Sequence, residues 1–161
     1  MRISKVYNGN LIIKKGDKRD FSQLEEITGS LYVCSDVEFK APKLQTIGGS
    51  LDIYSDAELP KLQTIGGSLY VYSDAELPKL QTIGGSLYVC SDVEFKAPKL
   101  QTIGGSLYVY SDAELPKLQT IGGSLYVCSD VEFKAPKLQT IGGSLYVYSD
   151  AELPKLQTIG G

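Results

Sequence analysis

The chain of 161 residues contains no histidine, no tryptophan, one methionine and three cysteines. Without histidine, neither a Ser-His nor a Cys-His catalytic pair can form, and no glycine-rich phosphate loop precedes a helical pattern. Recurring acids such as Asp74 and Glu76 stand in the same surroundings in every repeat, whereas acid and base catalysis needs carboxyls in different environments. The Ser-Asp-Ala-Glu segment also supplies too few oxygen ligands for calcium. We therefore expect no enzymatic activity, no cofactor and no metal ion.

Clusters of basic residues and long apolar runs are also missing. The formal net charge is −3, and a groove that follows nucleic-acid phosphates would need clustered Lys and Arg, which are confined to residues 1–28. The same charge is too small for a DNA mimic. No segment reaches transmembrane length, and Met1–Lys5 is not followed by an apolar signal run. We expect no nucleic-acid partner, no membrane and, with an odd number of free cysteines, a reducing cytoplasmic location.

What the chain does contain is one unit repeated seven times, in lengths of 18 and 20 residues. The lengths follow the order 20, 18, 18, 20, 18, 20, 18, and the units begin at Gly29, Gly49, Gly67, Gly85, Gly105, Gly123 and Gly143. A fixed period near 20 residues is typical of solenoids, because one such unit cannot bury its own apolar face and stacks on its neighbours.

Alternating apolar residues within each unit predict strands. Leu69 and Val71 share one face while Tyr70 and Tyr72 share the other, which is the two-residue period of a strand. Recurrent Gly-Gly and Pro interrupt any helical spacing. About six side chains per coil should point inward: Leu, Val, Ala or Val, Leu or Phe, Leu and Ile. The predicted fold is all-β, a right-handed parallel β-solenoid of about eight coils.

The segment from Leu59 to Val71, Leu-Pro-Lys-Leu-Gln-Thr-Ile-Gly-Gly-Ser-Leu-Tyr-Val, resembles the Leu-x-x-Ile-x-Gly-x-Leu-x-Ile pattern of receptor L domains and leucine-rich-repeat-like solenoids. The resemblance covers residues 9–161 and implies a β-solenoid without specifying a ligand. Units of 18 residues fall below the leucine-rich-repeat range of roughly 20–29 residues and lack its Asn or Cys ladder position. A tighter solenoid is therefore expected in place of a horseshoe with helices.

The two ends of the repeat array differ in sequence. Residues 1–28 are predicted to form an N-terminal cap with a degenerate first coil, and residues 29–161 seven tandem coils of one continuous domain. After the last consensus unit the upper apolar face should be open, and its residues are Leu145, Val147, Leu153, Leu156 and Ile159. An open strand edge beside bare hydrocarbon favours self-association. We predict a homo-oligomer, a two-fold dimer through the C-terminal ends, since a head-to-tail fibre would require displacement of the cap.

Stacking converts sequence columns into ladders, and two columns are rich in tyrosine. The candidate interaction face consists of Tyr70, Tyr72, Tyr88, Tyr108, Tyr110, Tyr126, Tyr146 and Tyr148. Such a face suits a protein or carbohydrate ligand, although stacked rings also stabilise a sheet without any ligand. The sequence thus predicts a non-enzymatic scaffold or protein-interaction module. The alternative is a purely structural, self-assembling repeat protein without a ligand, natural or engineered; an ice-binding plane is a further alternative, with only one threonine per coil.

The 20-residue units differ from the 18-residue units in several positions at once. Cys90 replaces a tyrosine, Val93 an alanine and Phe95 a leucine, and Lys96 and Ala97 read as an insertion. These changes indicate either volume compensation across a corner or copying of whole units. The three cysteines share one column, two or three coils apart, which is too far for a disulfide.

Overall fold

The protein is a β-solenoid of about eight turns. The computed structural model describes residues 1–161 and contains 24 short strands and no helix. Every strand pair is parallel and joins equivalent residues of consecutive coils, for example Leu69 with Leu87 and Val71 with Val89. The predicted all-β fold of stacked parallel coils is confirmed.

Strands line three faces of the solenoid, and each coil from Gly29 onward contributes one strand to each face. The tyrosine sheet contains β2 Leu11–Ile13, β4 Leu31–Val33, β7 Leu51–Ile53, β10 Leu69–Val71, β13 Leu87–Val89, β16 Leu107–Val109, β19 Leu125–Val127 and β22 Leu145–Val147. The threonine sheet contains β1 Val6–Tyr7, β3 Glu26–Ile27, β6 Thr46–Ile47, β9 Thr64–Ile65, β12 Thr82–Ile83, β15 Thr102–Ile103, β18 Thr120–Ile121, β21 Thr140–Ile141 and β24 Thr158–Ile159. The charged sheet contains β5 Phe39–Lys40 paired with β8 Ala57–Glu58, and separately β11 Ala75–Glu76, β14 Phe95–Lys96, β17 Ala113–Glu114, β20 Glu132–Lys134 and β23 Asp150–Glu152.

The interior is a single apolar column, and no polar or charged side chain is buried in it. Each coil contributes the inward positions expected from the alternation; in the coil that begins at Gly67 these are Leu69, Val71, Ala75, Leu77, Leu80 and Ile83, all buried. Because one coil cannot bury these groups alone, stability comes from contacts between neighbouring coils.

The Gly-Gly-Ser corner explains why two glycines recur in every unit. A Cβ on Gly84 would overlap the carbonyl oxygen of Gly66, and a Cβ on Gly85 would overlap the Ser68 hydroxyl. That hydroxyl accepts a hydrogen bond of 3.0 Å from the backbone N–H of Ser86. The coils therefore approach each other most closely at this corner, where only glycine fits.

The register of the charged sheet corrects the alignment of the two unit types. Phe95 pairs with Ala75 on one side and Ala113 on the other, so phenylalanine takes the place of alanine and not of leucine. The leucine position is filled by Ala97, because Leu77 donates its N–H to the carbonyl of Lys96. Phe95 and Ala97 thus exchange a large and a small residue within one coil relative to the 18-residue unit.

The two extra residues of the long unit lie in the turn before Phe95, as Val93 and Glu94 (compare Ser73–Ala75 with Ser91–Phe95). Asp92 in this turn has a φ of 59°, a left-handed conformation that aspartate tolerates better than most residues. Val93 turns inward and is 8% exposed, so the longer turn adds apolar volume at this corner.

Lysines and glutamates are mixed along the outer side of the charged sheet, where only Glu58 and Glu76 are like-charged neighbours in the column. Lys96 lies in register between Glu76 and Glu114, and Lys40 contacts Glu58 at 2.8 Å between Nζ and Oε1. These ion pairs are exposed, so water and salt screen them and each contributes little to stability. Their main effect is to avoid a column of like charges.

The first and last coils differ in how their apolar residues are covered. The first coil is covered by residues 1–8, in which Ile3 is buried and Val6–Tyr7 pairs with Glu26–Ile27. Arg19, held by an ion pair to Asp17, packs over the Phe21 ring at 5.3 Å. The last coil leaves Val147 38% and Ile159 47% exposed.

Candidate functional site

The outer side of the tyrosine sheet carries a continuous ladder of stacked rings. Five consecutive coils contribute Tyr70, Tyr88, Tyr108, Tyr126 and Tyr146, whose neighbouring ring centroids are 4.5–4.8 Å apart with interplanar angles of 4–9°. The parallel register fixes this spacing, because equivalent residues of adjacent strands lie one strand spacing apart. We call this set the tyrosine ladder.

Stacking decides which part of each ring reaches the surface. Since the rings are nearly parallel and follow the solenoid axis, each ring covers much of the face of the next. Ring edges and hydroxyl groups are left to point outward. Tyr108 and Tyr126 are half-buried accordingly, and Tyr146 at the end of the ladder is 40% exposed.

A second, broken column runs beside the ladder. Tyr54 and Tyr72 stack at 4.3 Å, whereas Tyr110 stands between Cys90 and Cys128 and is 45% exposed. Tyr148 in the last coil is the most exposed tyrosine, at 70%. The eight tyrosines predicted from the sequence therefore share one sheet face, but only the first column forms an unbroken stack.

The three cysteines of this column are free and partly exposed. Burial raises the pKa of the Cys90 thiol, which lowers its thiolate fraction at neutral pH. Cys90 therefore acts as a small side chain between Tyr72 and Tyr110 of the same column.

Several tyrosines of the face have a raised pKa. Burial raises the pKa of Tyr88, and its neighbours Tyr108 and Tyr70 add to the rise. Burial also raises the pKa of Tyr110, with a smaller contribution from the Cys128 thiol. A phenol hydroxyl can both donate and accept hydrogen bonds.

One residue interrupts the tyrosine ladder. Asp52 occupies the rung between Tyr32 and Tyr70, with which it is paired in register. Its Oδ1 atom is buried and accepts no hydrogen bond, and burial raises the pKa of the carboxyl group. Tyr32 turns toward Tyr54 instead, at 5.1 Å and 34°.

The selection of eight tyrosines left out Tyr32 and Tyr54, which belong to the same two columns. The repeat itself identifies them, since Tyr32 lies two coils before Tyr70 in one column and Tyr54 lies one coil before Tyr72 in the other. The tyrosine face is defined from here on as the eight predicted residues together with Tyr32 and Tyr54.

The five residues of the predicted end-to-end interface lie in the last coil. Leu145, Leu153 and Leu156 are partly buried against the core, while Val147 and Ile159 are exposed. Their equivalents one coil earlier, such as Val127 and Ile141, are completely buried. The exposed surface therefore has the composition of the core.

The charged sheet carries an open groove that sequence reasoning did not predict. It has a volume of about 550 Å³ and is floored by Phe95, Ala97 and Ala113, with Lys96 and Lys134 among the charged groups at its rim. In the sequence, only the alternation of large and small residues at this corner indicates such a groove. The register of these residues is known from the structure alone.

Comparisons with protein-family models, with curated proteins and with solved structures gave no match. No helix has the length and apolar character needed to cross a membrane. No group of three or more His, Cys, Asp or Glu side chains is arranged to hold a metal ion.

Proposed function

We propose that this chain is a non-enzymatic scaffold that binds other proteins through its tyrosine face. The observation that carries the proposal is the tyrosine ladder, a straight row of regularly spaced and half-exposed phenols. Tyrosine is enriched in protein interfaces because it offers a large apolar area and a hydrogen-bonding tip at low entropic cost. The sheet behind it holds the row rigid.

The orientation of the rings favours a protein ligand over a carbohydrate. Sugars pack against the open face of an aromatic ring, and the ladder covers most of its ring faces by internal stacking. Edges and hydroxyls instead match the mixed apolar and polar groups of a protein surface. The leucine-rich-repeat-like character inferred from Leu59–Val71 belongs to the same proposal, as does a reducing, cytoplasmic setting for the three free thiols.

The last coil supplies a second proposed contact, with another copy of the chain. Val147 and Ile159 expose core-type side chains next to unpaired strand edges. A two-fold arrangement would let both copies cover this surface at once.

A purely structural role is the second candidate, and the ring stacking itself favours it. Each stacked pair contributes about 0.5–1.5 kcal/mol beyond area burial, so the tyrosine ladder stabilises the solenoid even without a ligand. In that case the chain would be a self-assembling repeat that uses only its last coil.

The two candidates are distinguished by removing two rungs of the ladder. We expect the wild-type chain to capture a defined set of proteins that the Tyr108→Ser, Tyr126→Ser double variant does not capture, in cross-linking pull-downs read by mass spectrometry. Glycan arrays should give no tyrosine-dependent signal. The control is Ile12→Ser, which removes an exposed apolar side chain of the same sheet, in register with Tyr32 and far from Tyr108 and Tyr126. Equal capture by wild type and double variant would favour the purely structural role.

A further inference from the structure

The outermost strand of the tyrosine sheet has an unpaired edge. Strand β22 Leu145–Val147 is the last in the order of that sheet and pairs only with β19. One coil earlier, the N–H of Leu125 and the carbonyl of Val127 bond to the coil that follows. The equivalent groups of Leu145 and Val147 have no strand beyond them, and such an edge is a template for another chain.

The free backbone groups determine which residues would face each other across this edge. In a parallel ladder alternate residues bond to the same side, so Leu145 and Val147 point away from β19 while Tyr146 bonds to it. If two copies of the strand meet antiparallel, Leu145 exchanges two backbone bonds with Val147 of the second copy, and the two-fold axis repeats them. Tyr146 then stands opposite Tyr146 of the second copy as a non-hydrogen-bonded pair, with Cα atoms about 4.5 Å apart.

The side chains of this pairing match on both faces of the sheet. On the inner face, Leu145 and Val147 would meet the same two residues of the second copy, which continues the apolar column formed by buried residues such as Val127 one coil earlier. On the outer face, Tyr146 would lie beside its own copy and Tyr148 would cover Ser144 of the second copy. Aromatic pairs across antiparallel strands stabilise a sheet.

The charged strand is less suited to pairing with its own copy. At the corresponding edge in preceding coils, the N–H groups of Leu115 and Ala135 donate to the coil that follows. With Glu152 on the two-fold axis, its carboxylate would lie opposite the same carboxylate of the second copy. With Ala151 on the axis, Asp150 would lie opposite Glu152 of the second copy. Like charges directly opposite each other destabilise a sheet.

The threonine strand offers fewer hydrogen-bond donors to its own copy. The N–H groups of Gln157, Thr158, Gly160 and Gly161 all donate to the preceding coil. Only the N–H of Ile159 is left on that strand, so self-pairing gives at most one such donor from each copy. The tyrosine strand supplies the N–H groups of two residues from each copy.

We propose that two copies of this chain join through strand β22, paired antiparallel about Tyr146, so that their tyrosine ladders form one continuous face. This inference rests on the proposed function, because it names the strands that make the contact between copies. In a three-sided coil, a two-fold axis through one face exchanges the other two faces. The threonine strand of one copy then pairs with the charged strand of the other, which sets a hydroxyl beside carboxylates.

The shared face has a consequence for binding. Each copy contributes five stacked rings, from Tyr70 to Tyr146, and the two rows meet at Tyr146. A protein bound over this junction would contact both copies. The tyrosine face is therefore longer in the dimer than in one chain, and its central residues come from both.

The test is a cysteine cross-link on the two-fold axis. The native thiols are first removed as Cys34→Ser, Cys90→Ser and Cys128→Ser, and Tyr146→Cys is then added. A non-hydrogen-bonded pair brings two Cα atoms within the range of a disulfide. We expect oxidised glutathione to link most of the dimer, as read by non-reducing electrophoresis.

Three matched variants in the same background distinguish the possible pairings. Glu152→Cys tests the charged strand and Thr158→Cys the threonine strand, and both lie in the last coil. Tyr108→Cys lies on the tyrosine face of an interior coil and measures random collisions. We expect each of the three to link at least tenfold more slowly than Tyr146→Cys.

A second measurement keeps the Tyr146 ring in place. Equal amounts of ¹³C-labelled and unlabelled wild-type chain are mixed, and an isotope-filtered NOE spectrum detects only contacts between copies. We expect a cross-peak between the Hα atoms of Tyr146 in the two copies, because these atoms face each other in a non-hydrogen-bonded pair. Tyr126, one coil away from the junction, should give no such cross-peak.

Dominant linkage through Glu152→Cys or Thr158→Cys would overturn the proposal, as would a dimer that lacks the Tyr146 cross-peak. In either case sedimentation would still show the contact between copies, and only its strand pairing would be wrong. A chain that sediments as a monomer would overturn both the contact and this inference. None of these outcomes affects the pull-down test with Tyr108 and Tyr126, so the failure of the junction and the failure of the tyrosine face are separable.

Discussion

At the scale of single residues, the structure depends on what each side chain meets one coil away. Gly85 is required because Ser68 lies directly below it, and Tyr88 is stacked because Tyr70 and Tyr108 flank it. A substitution therefore first changes the contacts of the two neighbouring residues in its column. Asp52 shows the consequence, because its single carboxylate ends the tyrosine ladder on one side.

Completing the tyrosine ladder at Asp52 should stabilise the chain. Asp52→Tyr creates two stacked pairs, and at about 0.5–1.5 kcal/mol per pair we expect the free energy of unfolding to rise by about 1–3 kcal/mol at pH 7. Urea denaturation followed by circular dichroism measures the change. An unchanged or lower free energy of unfolding would show that the position of Asp52 cannot accept a ring.

The same position should give a defined pH dependence. Burial raises the pKa of the Asp52 carboxyl group in the folded chain above its usual value of 3.8. As the pH rises, the unfolded chain therefore releases the carboxyl proton before the folded chain does. Wild-type stability therefore falls across that interval relative to Asp52→Asn. Urea curves at pH 3, 5 and 7 should show the variant gaining on wild type as pH rises; a constant difference would contradict the assignment.

At the scale of elements, the strands and their inward positions were predictable, but the register of the charged sheet was not. Alternation identified Leu69 and Val71 as core residues, because a strand has a two-residue period. Phe95 was matched with leucine because both follow a glutamate, whereas burial of the phenyl ring requires the small Ala75 and Ala113 beside it. A sequence column also predicts which tyrosines lie one coil apart, but it does not predict how their rings are oriented. The stacking could therefore not be predicted from the sequence.

The exchange of volume between Phe95 and Ala97 gives an element-scale prediction. Phe95→Ala should lower the free energy of unfolding by about 3–5 kcal/mol by leaving a cavity, and Ala97→Leu alone should lower it by about 1–3 kcal/mol through overpacking. Together they restore the alanine and leucine of the 18-residue unit at these two positions. The double variant should therefore lose less free energy of unfolding than the two single variants lose together. Thermal and urea unfolding of all four forms make a double-mutant cycle; additive costs would contradict the compensation.

At the scale of the whole molecule, the first and last coils differ in how far their apolar side chains are exposed. Leu11 and Ile13 in the first coil are almost completely buried, whereas Val147 and Ile159 in the last coil are exposed. A solenoid transmits its packing only between neighbours, so the interior coils do nothing to cover the last layer. The proposed contact between two copies of the chain would cover these exposed side chains of the last coil.

Charges on the last layer should prevent that contact. We expect the 161-residue chain to sediment as a dimer at micromolar concentration, and the Val147→Asp, Ile159→Asp double variant to sediment as a monomer. Ile12→Asp changes an equally exposed apolar residue far from the last coil and should leave the dimer intact. Circular dichroism confirms that the variants are folded. A monomeric wild type would refute the contact, and larger species would indicate head-to-tail growth.

The large and small residues of the charged sheet also restrict how such an array can change its length by genetic recombination. A copied 18-residue unit brings an alanine to this corner and can be placed beside either unit type, as the neighbours Ala57 and Ala75 show. A copied 20-residue unit brings a phenylalanine, and beside another such unit it would set two phenyl rings on adjacent rungs and overfill the corner. Unequal crossing-over would then yield viable products only when long units remain separated by short ones.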